Sequence, residues 1–200
     1  MKPVEIVGNT FWVGALDPQL RRFDIIMSTE NGTTYNAYLI KGKDKTALID
    51  LVKTSFSKEL FENLKALLGS DKIDYLVISH TEPDHSGALA LFLDKYPDAK
   101  VVCARNAAKF VENLLNRDVQ PRLVEDGETL DLGGQKLTFY QTPFLHWPDT
   151  MMTWLEPGRV LFGCDFLGSH YADDRLFDDC VGDFSYAFRY YYDCIMRPFK

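Results

Sequence analysis

The sequence predicts an α/β fold of the α+β kind, an αββα sandwich with two β-rich layers face to face and helices outside. Three observations lead there. Apolar runs at strand spacing fill the first fifty residues. Helical and strand patterns then alternate from 57 to 115. Short strands return after 120, followed by one helix near 185–196. This order reads as two ββα-type halves packed sheet against sheet. The second half is the shorter, so residues 1–200 read as one domain truncated at its C-terminal end, a piece of a longer protein.

In the opening meander, Phe11–Ala15 and Phe23–Met27 are the first strand candidates. Asn31-Gly32 between apolar runs is a hairpin signal. Thr34–Ile40 and Thr46–Leu51 follow, separated by the polar turn Lys41–Lys45. Leu60, Phe61, Leu64, Leu67 and Leu68 form one apolar helical stripe, with Ser57 placed to cap its start and Gly69 its end. A strand over Ile73–Ile78 runs into Ser79–Gly87, and a helix from Ala88 leaves it, stopped by Pro97. Val101–Ala104 is a buried-type strand. Asn106 is placed to cap a helix whose Phe110, Val111, Leu114 and Leu115 share a face. Arg122–Val124, Glu128–Leu132 and Lys136–Tyr140 are strands separated by Asp126-Gly127 and Gly133-Gly134. Met151–Leu155 and Arg159–Gly163 make a hairpin around Glu156-Pro157-Gly158.

The bulk composition excludes several classes. With 46% hydrophobic residues the chain can build a core. A net charge of −7 without a basic block disfavours nucleic acid. No apolar run approaches the ~18–20 residues of a membrane span, and the N-terminus lacks signal-peptide character. Cys103, Cys164, Cys180 and Cys194 form no CxxC pair and read as reduced thiols of a cytoplasmic protein.

The chemistry concentrates in Ser79–Gly87, where His80, Glu82, Asp84 and His85 fall within six residues, directly after a strand. A strand, ligand-rich loop and helix present a site at the carboxyl end of a sheet. His146 and Asp165 stand likewise beyond strand ends. Alone, each of these residues reads more simply as a cap, a turn former or a solvated charge; together they point to metal. Six candidates exceed the needs of one tetrahedral ion and suit two adjacent ions, with Asp165 able to bridge. Imidazoles and carboxylates without thiolate favour zinc, iron or manganese.

These residues carry a family resemblance. The αββα order and the H-x-x-x-D-H core resemble the metallo-β-lactamase superfamily, whose hydrolases usually carry a third His where this chain has Glu82. That Glu, with Thr33–Leu39, Asp165 before Phe166-Leu167-Gly168, and Tyr191–Phe199, makes the chain similar to the flavodiiron proteins over essentially its whole length. The resemblance implies a cytoplasmic O₂ or NO reductase. It assigns His80, Glu82 and His146 to one iron, Asp84 and His85 to the other, and makes Asp165 the bridge. It also implies a further His on the second iron, an FMN-binding flavodoxin-like domain beyond 200, a homodimer, and rubredoxin or another flavoprotein as donor. Zinc could substitute for iron. His170 is the one spare histidine, read as a partly exposed loop residue that could alternatively approach the site. Tyr35, Trp147, Phe166, Tyr191 and Tyr192 could shape the pocket, though packing explains most of them. The family's common His has no counterpart near Asp24-Ile25, which leaves O₂ against NO open. Two other readings remain: a dinuclear zinc hydrolase of the same fold, which Glu82 argues against, and an inactive truncated fragment.

Overall fold

The protein is described by a computed structural model over residues 1–68 and 72–199. The chain opens with β1 (Val4–Val7) and β2 (Thr10–Trp12), then β3 (Ala15–Asp17), β4 (Arg22–Phe23) and β5 (Met27–Ser28). Two expected strands are broken here. Phe11–Ala15 divides at Val13-Gly14 between β2 and β3. Phe23–Met27 becomes a small β4–β5 hairpin, because Asp24 (φ 45°) and Ile25 (φ 70°) turn the backbone. Next come β6 (Thr33–Tyr35), β7 (Tyr38–Lys41) and β8 (Thr46–Ile49). The expected strand Thr34–Ile40 is interrupted at Asn36-Ala37, where Asn36 accepts from the Trp12 indole at 2.9 Å. Asn31-Gly32 does turn the chain, but β6 pairs with β3 rather than β5. Gly32 sits at φ 70°, and a Cβ there would lie 2.3 Å from the Asp17 carbonyl, so the turn requires glycine.

Helix α1 (Ser57–Leu67) buries Leu60 and Leu64, as its stripe requires. A short 3₁₀ turn at Thr54–Phe56 precedes it, so Ser57 lies inside the helix and makes no cap; Gly69 lies outside the described residues. Strand β9 (Tyr75–Ile78) leads to a one-turn helix α2 (Pro83–Ser86) and to α3 (Leu89–Lys95). Strand β10 (Lys100–Ala104) is followed by α4 (Ala108–Leu115). Asn106 does not cap α4; it donates to the Pro148 carbonyl. Only part of the expected α4 face is inside: Val111 and Leu115 are buried, while Phe110 and Leu114 are exposed.

Strands β11 (Arg122–Val124), β12 (Thr129–Asp131), β13 (Lys136–Gln141), β14 (Met151–Glu156) and β15 (Val160–Phe162) complete the β-structure, and α5 (Asp178–Val181) and α6 (Ser185–Tyr191) follow. The larger sheet has the order β1-β2-β7-β8-β9-β10-β11, antiparallel up to β8 and parallel from β8 to β11. Strand β11 thus joins the first sheet, not the second meander. The second sheet, β12-β13-β14-β15, is antiparallel.

Consecutive residues of the central parallel strands are all buried: Leu48 and Ile49, Leu76 to Ile78, Val101 to Ala104. A strand buried on both faces needs a layer on each side. Helices supply one layer; the second sheet, through Leu137, Phe139, Met151 and Leu155 of the same core, supplies the other. The expected αββα sandwich is the observed fold. No helix among the described residues is long and apolar enough to cross a membrane.

Candidate metal centre

The parallel strands deliver the site. Asp50 follows β8, and Ser79 and His80 follow β9, so their side chains emerge together at the sheet's carboxyl edge. Pro83 opens α2, where its fixed φ suits a first helical position. That single turn, closed by His85 N–H and Ser86 N–H donating to the Glu82 carbonyl, sets Asp84 and His85 beside Glu82. The loop expected to hold all four residues is therefore half helical. Met151 N–H donates to the Ser79 carbonyl at 2.9 Å, which ties the second sheet to this loop. His146 comes from the β13–β14 connection and Asp165 from the turn after β15.

The structure brings all six expected residues together in two adjoining donor groups. Donor atoms of His80, Glu82, His146 and Asp165 lie within 4.8 Å of one another, and so do those of Asp84, His85 and Asp165. Asp165 belongs to both groups. Its Oδ2 lies 3.5 Å from His146 Nε2, while its Oδ1 lies 3.3 Å from His85 Nε2 and accepts from the Tyr191 hydroxyl at 2.6 Å. Glu82 Oε2 lies 3.1 Å from His80 Nε2 and 3.3 Å from His146 Nε2.

Two buried carboxylates that the sequence reading passed over orient the rings. His80 Nδ1–H donates to Asp149 at 3.2 Å, and Asp149 also accepts from Thr81 N–H and Oγ1. His85 Nδ1–H donates to Asp50 at 3.3 Å, and Asp50 accepts from Ser79 N–H at 2.7 Å. Fixing Nδ1 as the donor leaves the Nε2 lone pair facing the pocket, as a metal-ligating imidazole requires. Asp50 is placed at a strand end just as Asp165 is, so the same rule could have found it. Asp149 carried only the weaker signal of an acid after His146-Trp147-Pro148.

The electrostatics follow from five carboxylates, Asp50, Glu82, Asp84, Asp149 and Asp165, crowded around three imidazoles. Burial opposes a charge on His146, but Asp165 and Glu82 outweigh it and raise the ring to about 9. His85 is raised well above its ordinary value, and Glu82 and Asp165 are held well below theirs, in each case against burial. Burial, with Asp165 and Glu82 beside it, pushes Asp84 up to about 6. Its Oδ1 is buried without a hydrogen-bond partner among the described residues. A buried acceptor with no donor, in a site with excess negative charge, fits a cation. Asp24, beside Glu82, is likewise raised to about 7 by burial and that carboxylate.

His170 is not the partly exposed residue expected. It is 9% exposed, its Nδ1 pairs with Thr33 Oγ1 at 2.9 Å, and burial lowers it to about 4. It packs on Phe23 and Tyr191 and joins neither donor group. Of the aromatics, Trp147 stands edge-on to His80 at 4.9 Å and Tyr191 reaches Asp165. Tyr35 instead donates to Asp17, and Tyr192 is partly exposed.

A family model described as ODP family beta lactamase matches residues 33–197. The chain belongs to this family. Within it, the relatives are flavodiiron proteins. The type A flavoprotein fprA of Rhodobacter capsulatus is 47% identical over 99% of this chain and 46% of its own length. The flavo-diiron protein FprA2 of Clostridium acetobutylicum is 45% identical over 100% of this chain and 51% of its own. Among solved structures, rubredoxin oxygen:oxidoreductase from Desulfovibrio gigas superposes with TM-score 0.94 at 36% identity, over 99% of this chain and 50% of that one. The flavodiiron protein from Giardia intestinalis gives TM-score 0.91 at 31% identity, over 98% of this chain and 48% of that one. This ODP-family chain thus spans about half the length of the curated relatives it matches. The names of these relatives describe diiron proteins and an oxidoreductase rather than a hydrolase, and lend no support to zinc.

Proposed function

We propose that this chain is the diiron-binding domain, over residues 1–200, of a cytoplasmic flavodiiron oxidoreductase that reduces O₂, NO or both. Electrons come from FMN carried elsewhere in the full protein, in a homodimer, with a rubredoxin-like donor upstream; the name of the Desulfovibrio gigas relative supports that donor. His80, Glu82 and His146 would hold one iron and Asp84 and His85 the other, with Asp165 shared between the two groups. The observation that carries this reading is the Glu82 carboxylate set between two imidazoles, 3.1 and 3.3 Å away, where the fold's hydrolases place a neutral histidine. The extra negative charge suits a harder, redox-active ion, whereas Zn²⁺ has no accessible redox step. Iron held there would supply electrons to a small diatomic gas.

The chain's own residues position and exclude. Asp149 and Asp50 fix the His80 and His85 ring orientations, Tyr191 keeps a proton at Asp165 Oδ1, and Trp147 packs edge-on against the His80 ring. Anaerobic loading with Fe²⁺ is expected to give about two irons per chain, oxidised on exposure to O₂ or NO. Uptake of zinc alone, with esterase activity, would overturn the proposal. Glu82→His is expected to lower iron retention and raise zinc retention; unchanged metal content would remove the role given to Glu82.

A further inference from the structure

Two buried polar atoms of opposite kind stand unpaired beside one chamber. Asp84, His85, Asp165 and His170 all border a cavity of about 110 Å³, against a share of ~30 Å³ for one water. Asp84 Oδ1 and His170 Nε2 are the buried side-chain atoms of its wall left without a hydrogen-bond partner among the described residues. His170 is 9% exposed and belongs to neither donor group.

The Asp84 oxygen is an acceptor; the character of the His170 nitrogen follows from Thr33. Thr33 Oγ1 and His170 Nδ1 lie 2.9 Å apart. Thr33 is 3% exposed, and its hydroxyl has no other acceptor among the described residues. It therefore donates to Nδ1, since the opposite arrangement would bury an unpaired hydroxyl proton. That tautomer puts the ring's proton on Nε2. Burial, which lowers the ring to about 4, keeps it from taking a second proton at neutral pH.

An ion beside Asp84, His85 and Asp165 satisfies the Oδ1 acceptor but leaves the Nε2–H donor unpaired. The donor needs an acceptor atom, and the chamber has room for one beyond the ion. The ring is already held in place: it packs against Phe23 and Tyr191, with centroids 4.4 and 5.0 Å away, and Thr33 fixes its other nitrogen. Small solutes can reach the chamber, because Thr34, Asn36, Phe162 and Ser169 border both it and a groove of about 580 Å³. We infer that His170 is a substrate-binding residue, whose Nε2–H donates to the outer atom of a diatomic gas or small anion lodged in this chamber against the Asp84–His85–Asp165 group. A fixed donor of this kind acts where negative charge gathers on that outer atom. The contact rests on the diiron reading of the site, because the ion anchors the inner end of the ligand.

The first test needs neither metal nor variant. In ¹H–¹⁵N spectra of metal-free protein labelled at histidine, His170 is expected as the Nε2–H tautomer; an Nδ1–H tautomer overturns the contact. The second uses nitric oxide as the probe, added anaerobically to Fe²⁺-loaded protein and read by infrared spectroscopy. His170→Leu is expected to raise the N–O stretching frequency and to weaken nitric oxide binding by about tenfold, as loss of one hydrogen bond to a charged acceptor does. His170→Gln keeps an N–H donor and should stay near the unsubstituted frequency, which a purely packing role for the ring would not produce. A smaller hollow of about 20 Å³ beside Ser28 and Glu30 also borders His170. A water there bonded to Nε2–H would make the N–O frequency indifferent to His170→Leu. Equal frequencies at full iron content therefore overturn the contact and leave the diiron reading standing, whereas a protein that takes up no iron overturns both.

Discussion

The donor groups on either side of Asp165 are held by different parts of the fold. His80, Glu82 and His146 sit in a closed region, with exposures of 0%, 5% and 6%. Asp149, fully buried, receives His80 Nδ1–H and both Thr81 donors. The loop carrying His146 is braced by Phe144 N–H to the Trp147 carbonyl at 2.7 Å, Leu145 N–H to Thr142, and Thr150 Oγ1 to Thr142. Asp84 and His85 instead ride on a single helical turn beside the chamber of about 110 Å³, and Asp84 Oδ1 has no partner among the described residues. In the first group Asp149 orients the His80 ring, whereas the second keeps a buried acceptor, Asp84 Oδ1, unpaired among the described residues. Two adjacent ions placed there would be held with unequal strength, the first more tightly.

The largest effect breaks both sides at once. Asp165→Asn removes the residue they share, and iron per chain after anaerobic loading should fall from about two to below about one, by elemental analysis. Retention of both irons would show that Asp165 is no bridge. The next test separates the sides. Asp149→Asn should weaken the ion held by His80 by about 10- to 100-fold, as loss of an orienting carboxylate does, and leave the other ion in place; Asp50→Asn should do the reverse. Competition against a chelator reads both, and equal loss of both ions in each variant would erase the comparison.

A smaller effect appears in the metal-free protein. His146 is raised from 6.5 to about 9, so the folded state binds its proton more tightly than the unfolded chain does. The stabilisation is fully present below pH ~6.5 and is lost as pH rises through about 9, amounting to about 1–3 kcal/mol. Thermal unfolding of metal-free protein should therefore move to lower temperature between pH 6.5 and 9, and iron loading should flatten that dependence. A metal-free protein equally stable at both ends would mean that His146 is uncharged throughout. Smallest is Tyr191→Phe, which deletes the 2.6 Å bond to Asp165. About 1–2 kcal/mol of stability should go, seen in denaturant unfolding, with both irons kept.

Much of this was legible in one dimension because the physics is local. The alternation of strands and helices, the buried parallel strands and the cluster from His80 to His85 all follow from periodicity and spacing. So did His146 and Asp165, each a polar residue in the connection that follows an apolar strand. Boundaries were less legible where backbone geometry overrode propensity: Asp24 and Ile25 fold an apolar run into a hairpin, and Asn36 breaks a strand to receive the Trp12 indole. Ser57 and Asn106 were suitable caps by residue type but not by position, because 3₁₀ turns begin both helices earlier.

The sequence by itself determined the layered fold, the six donor candidates and the carboxylate at Glu82, because each depends on residue type and spacing along one chain. Only the tertiary structure decided which oxygen of Asp165 faces which group and that Asp50 and Asp149 orient the rings. Those pairings span from 35 to 80 residues of sequence, and no local pattern encodes contacts that exist only once two sheets close on each other.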